Sequence, residues 1–125
     1  MNVTIWHNPR CSKSRQTLAL ITERSVSPIV RNYLQDAPNE DEIRDVLEKL
    51  KIPAINLMRT GEKLFRELGL TKDADEGNLI RVMAENPILI ERPIVLANGK
   101  AAIGRPPEAV LGLLEGYAAA RSNAG

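Results

Sequence analysis

The segment Val3 to His7 sets β-branched and aromatic side chains along an extended run, breaks at Asn8-Pro9, and passes directly into a helix-favouring stretch from Ser12 to about Arg24. Pro28 to Tyr33 is β-rich again after a Ser-containing turn. No other stretch restricts the fold as much, because a strand, helix, strand unit of roughly thirty residues is short enough to force a crossover. L-residues make that crossover right-handed and its two strands parallel. Leu18 and Ile21, with Leu20 beside them, are the side chains of the helix expected to face the sheet.

After this unit the helical period takes over. Asn39-Glu40-Asp41-Glu42 places a capping residue and acidic groups ahead of Ile43, Val46, Leu47 and Leu50, an amphipathic spacing that Pro53 brings to an end. Ala54 to Leu70 reads as two short helical turns broken near Gly61, and Leu79, Val82 and Met83 continue the period until Asn86-Pro87. Ile94 to Leu96 and Ala101 to Ile103 flank Asn98-Gly99, a strong hairpin signal. Pro106-Pro107 announces a last helix carrying Val110, Leu113, Leu114 and Tyr117, and Ser122 to Gly125 is expected to fray. This order predicts an α/β fold: a thioredoxin-like mixed sheet of about four strands with a helical insertion between the second and third strands. A length of 125 residues fits one domain over positions 1–125.

Charge and composition remove whole classes of function. Seventeen Lys and Arg against sixteen Asp and Glu leave a formal charge of +1, so no global basic field exists to hold a nucleic acid. No apolar run is long enough to cross a membrane, and the first residues carry Asn, His, Pro, Arg and Lys where a signal peptide needs an apolar stretch. A cytoplasmic protein is expected, and a near-neutral chain without an obvious apolar patch makes a monomer the default. The single cysteine forbids an intramolecular disulfide, so a second molecule must complete any thiol redox chemistry. No metal and no tightly bound cofactor is expected.

That cysteine, Cys11, stands at the junction of the first strand's end and the first helix's start. A helix N-terminus stabilises a thiolate and can receive an oxyanion, and Arg10, Lys13 and Arg15 flank the site. Ser14 can turn its hydroxyl toward the sulfur across the first helical turn. The competing reading is a buried, inert cysteine. His7 either influences the thiolate as base or cation or is a strand-end histidine satisfied by backbone. Arg59, Arg92 and Arg105 each sit among apolar or Pro and Gly neighbours, an unusual setting for solvated arginines. Arg92 precedes the third strand and Arg105 follows the fourth, where chain ends in this fold converge on the first helix. Eleven of the seventeen basic residues are Arg, whose planar fork suits oxyanions.

Four blocks of sequence, His7-Asn8-Pro9-Arg10-Cys11-Ser12-Lys13-Ser14-Arg15, Leu57-Met58-Arg59, Pro87 to Val95, and Gly104-Arg105-Pro106-Pro107-Glu108, resemble the glutaredoxin-linked arsenate reductases. The resemblance implies a thioredoxin-like domain in which Cys11 is the nucleophile, assisted by His7, Ser14 and Arg15, while Arg59, Arg92 and Arg105 hold arsenate. It implies glutathione as co-substrate, glutaredoxin as protein partner, and a cis bond at Arg92-Pro93. Relatives with two cysteines in the loop act as redox-sensing regulators, whereas Ser14 occupies the second position here. Two other functions share this frame: a glutathione-dependent thiol oxidoreductase with little arsenate activity, and a non-enzymatic regulatory binding protein.

Overall fold

Val3–His7 forms β1 and Ile29–Asn32 forms β2, and the two pair in parallel with Ile5 opposite Val30 and His7 opposite Asn32. The helix between them, α1, spans Ser12–Glu23. In this computed structural model residues 2–114 are described. The chain divides into two compact units, Met1–Asn32 with Arg92–Gly125, and Tyr33–Glu91.

The first unit is built on a mixed sheet of four strands in the order β2, β1, β3, β4, where β3 is Ile94–Ala97 and β4 is Lys100–Ile103. β3 runs antiparallel to both β1 and β4. Asn98 and Gly99 both take positive φ, 56° and 70°, as the tight hairpin turn between β3 and β4 requires. The apolar core joins Val3 and Ile5 of β1, Ile21 of α1, Val26, Val95 and Ala97 of β3, and Val110 and Leu114. The thioredoxin-like sheet and its helical insertion are those expected from the order of elements.

Three details of this unit differ from expectation. Ser14, Thr17 and Ile21 form the buried face of α1, while Leu18 is only partly buried and Leu20 lines a surface hollow with Gln16, Ala19, Glu23, Pro107 and Glu108. At Thr17 the cause is Gly104, which brings the chain after β4 so close that a leucine would not fit at that point of the helix. The last helix opens as a 3₁₀ turn, Pro107–Val110, and continues as α-helix over 111–114, while Tyr117 and the 122–125 tail lie outside the described residues. Finally, Ile29 and Val30 on the edge strand β2 are 58% and 49% exposed, an apolar edge that composition did not announce.

The second unit is helical. It holds α2 (Glu40–Leu50), α3 (Ala54–Leu57), α4 (Lys63–Glu67), α5 (Glu76–Glu85) and a 3₁₀ turn at Pro87–Leu89. Asn39 and Glu42 close a capping box on α2, and Lys51 ends that helix in the left-handed conformation two residues before Pro53. α2 packs on α5, with Ile43, Val46 and Leu47 buried on one helix and Leu79, Ile80, Val82 and Met83 on the other. Among the described residues no helix is long and apolar enough to cross a membrane.

Candidate active site

Cys11 occupies the N-cap position of α1, with extended backbone at φ −95° and ψ 123°. The turn that delivers it there is held by Asn8, whose carbonyl accepts from the Cys11 N–H at 3.0 Å and whose side-chain oxygen accepts from the Arg10 N–H at 3.0 Å. Arg15 Nη1 donates to the Pro9 carbonyl at 2.9 Å and pins the turn from the helix side. The thiol is thereby fixed at the helix terminus with 9% of the residue exposed.

Burial pushes the Cys11 thiol up, but four neighbours act against it and the net effect is a pKa below the ordinary thiol value. They are the Ser14 N–H, the Arg92 guanidinium, the Lys13 N–H and the Arg105 guanidinium. Arg105 Nη2 donates to Sγ at 3.6 Å, and its Nε donates to the Arg92 carbonyl at 2.7 Å, so one arginine ties the chain before β3 to the sulfur. The peptide bonds Arg92-Pro93 and Arg105-Pro106 are both cis; the first was expected and the second was not. The expectation that local cations flank the sulfur is corrected in one respect. Lys13 acts through its backbone N–H, and the charges that lower the thiol come from Arg92 and Arg105, far away in sequence.

Ser14 is fully buried and its hydroxyl does not turn to the sulfur. Its Oγ lies 2.7 Å from His7 Nδ1 and accepts the Asn8 N–H at 3.0 Å. Burial first, and the Arg15 charge second, hold the His7 pKa below the ordinary imidazole value. A neutral ring protonated at Nε2, with Nδ1 accepting the serine proton, satisfies all of these groups together. His7 is thus bonded to a side chain rather than to backbone, and it reaches the thiol loop through Ser14. Asn8 is the one contributor that the sequence reading left out; its signal was the Asn-Pro turn itself.

Arg59 belongs to the second unit. Its backbone N–H donates to the Leu89 carbonyl at 2.8 Å beside the isolated bridge between Met58 and Ile90. Its Nη2 pairs with Glu62 Oε1 at 2.7 Å, and Nη1 lies 3.5 Å from the Ile88 carbonyl. Among the described residues no cluster of His, Cys, Asp or Glu has the makings of a metal site.

The first unit therefore presents a thiol at a helix N-terminus with two guanidinium groups beside it, an arrangement suited to a nucleophilic sulfur and an anionic partner. Known proteins resemble this chain along most of its length. The model of the ArsC family matches residues 6–113. An arsenate reductase of Neisseria meningitidis is 46% identical over 114 residues, 90% of this chain and 97% of the relative. YfgD of Escherichia coli, an uncharacterized protein, is 52% identical over 111 residues, 87% of this chain and 93% of its own length. Among solved structures, an arsenate reductase from Vibrio cholerae superposes with a TM-score of 0.87 at 44% identity, covering 90% of this chain and 98% of its own.

Proposed function

The chain belongs to the ArsC family, and from that membership and the geometry at Cys11 we propose that it reduces arsenate to arsenite with electrons from glutathione and glutaredoxin. The observation that carries the proposal is the Cys11 sulfur at the N-cap of α1, 3.6 Å from Arg105 Nη2, where the Ser14 N–H and the Arg92 guanidinium lead the contributions that outweigh burial and lower its pKa. Relatives named arsenate reductases supply the substrate.

Arsenate at neutral pH is mostly a dianion, so bringing it to a thiolate sets like charges together, and cations must offset the repulsion. Arg92 and Arg105 supply them beside the sulfur, and the family motif adds Arg59 to the anion-holding set. The Cys11 thiolate attacks arsenic, an As–S bond forms, and one arsenate oxygen leaves as water after protonation. Glutathione then forms a second As–S bond by displacing another arsenic-bound oxygen, which also leaves as water. Glutaredoxin then takes the glutathionyl sulfur into a mixed disulfide, two electrons pass to arsenic, and hydrolysis of the remaining As–S bond frees arsenite and Cys11. In sum, arsenate and two thiols give arsenite, a disulfide and water. Cys11 is the sole cysteine, so both reducing thiols come from outside, which suits a reducing cytoplasm. His7, Ser14 and Arg15 act by fixing the loop that carries the nucleophile.

A steady-state assay of arsenite production with glutathione and glutaredoxin tests this. The wild-type chain is expected to turn over and Cys11→Ser to be inactive. Arsenite production that persists in Cys11→Ser overturns the mechanism. Turnover of a glutathione mixed disulfide with none of arsenate assigns the chain to thiol oxidoreduction instead.

A further inference from the structure

Glu62 holds the N-cap position of α4 with extended backbone, φ −67° and ψ 140°, yet its carboxylate makes no cap hydrogen bond with that helix. It is placed on Arg59 instead, at 2.7 Å from Nη2, with both side chains about a quarter exposed at 23% and 26%. The Arg59 N–H is tied to the Leu89 carbonyl and Nη1 reaches the Ile88 carbonyl at 3.5 Å, so Nη2 is the donor that Glu62 holds and an incoming anion would share. We infer that Glu62 is a stand-in for the substrate oxyanion: its carboxylate occupies the Arg59 fork and competes with the incoming tetrahedral anion for it, which makes Glu62 a determinant of anion affinity. This rests on the reading that Arg59 is one of the anion-holding arginines.

The sign of the effect follows from charge alone. A dianion held by Arg59 while Glu62 stays in place lies within one guanidinium's width of a like charge. If Glu62 swings away instead, the ion pair is lost. Either course weakens anion binding relative to a protein in which position 62 is neutral. A carboxylate that merely oriented Arg59 predicts something else. Glutamine keeps an acceptor oxygen at the same place and would leave binding unchanged, while alanine would weaken it.

The experiment is calorimetric titration of sodium arsenate into Cys11→Ser protein, so that only reversible anion binding is read, with Glu62→Gln, Glu62→Ala and Arg59→Ala added singly and the first and last combined. Glu62→Gln and Glu62→Ala are each expected to tighten arsenate binding about two- to fivefold, the size a part-exposed ion pair supports. The gain is expected to vanish once Arg59 is alanine. In the protein that retains Cys11, Glu62→Gln is expected to lower KM for arsenate by the same factor with kcat unchanged. Unchanged or weaker binding by Glu62→Gln overturns the inference, as does a gain that persists without Arg59. Arsenate binding that is indifferent to Arg59→Ala removes the underlying reading of Arg59.

Discussion

At the scale of single residues the site is a contest over one proton. Burial alone would raise the Cys11 pKa, and the Ser14 N–H, Arg92, the Lys13 N–H and Arg105 outweigh it, so that the thiol's pKa lies below the ordinary value. Alkylation by iodoacetamide tracks the thiolate, so its rate should rise with pH and level off below the ordinary thiol pKa. Arg92→Ala or Arg105→Ala each removes a charge that favours the anion, and the midpoint is expected to move up in pH. Arg10→Ala and Lys13→Ala are expected to leave it in place, because neither of those side-chain charges is among the causes of the shift. A midpoint that follows the sequence neighbours and ignores the two distant arginines would refute this account. That Cys11 stands at a helix start, and that Arg92 and Arg105 lie in surroundings unusual for arginine, was legible in the sequence. The role of Ser14 was not: nothing in the spacing of Ser14 from Cys11 says that its hydroxyl is already taken by His7 and Asn8.

Among the elements, the contact that sets the site is between α1 and the chain leaving β4. A Cβ at Gly104 would stand 2.5 Å from Thr17 Oγ1 and 2.7 Å from Pro93 Cγ, so glycine is required there by close approach rather than by backbone angle. Thr17 cannot yield easily, since it is fully buried and its hydroxyl donates to the Lys13 carbonyl at 2.8 Å. The Gly104 N–H in turn donates to the Pro93 carbonyl at 2.9 Å. Gly104→Ala is therefore expected to cost about 1–3 kcal/mol of stability, the range for overpacking a filled interior. It should also lower arsenate turnover by displacing Arg105 from the sulfur; denaturant melts and the arsenite assay together check both. A variant as stable and active as the parent would show that this packing has slack. Helix and strand identities were readable because their periods are local. Of the α1 side chains that hydrophobicity points to, Ile21 is fully buried and Leu18 packs partly buried against the core, whereas Leu20 lines a surface hollow and Ser14 and Thr17 take buried places that no hydrophobic pattern marks.

For the molecule as a whole, a net charge of +1 means that the proposed anion capture would fall to placed guanidinium groups rather than to a general positive field. A ligand that binds only the folded state raises stability by RT ln(1 + [L]/Kd), about 2.7 kcal/mol at a hundredfold excess over Kd. Arsenate is accordingly expected to raise the thermal midpoint in a concentration-dependent way, and chloride at equal ionic strength is not. Arg92→Lys and Arg105→Lys should shrink the rise, because a point charge replaces a planar fork; a rise equal for both anions would argue for ionic strength alone. The sequence by itself determined the order of elements, the parallel opening pair, the late hairpin and the single thiol at a helix start, all of which depend on neighbours a few residues apart. Only the tertiary structure decided which charges reach that thiol, that the serine beside it serves the histidine, and that a glutamate already sits on Arg59. These depend on how closely chain segments approach one another, a distance that filled space sets and local pattern does not record.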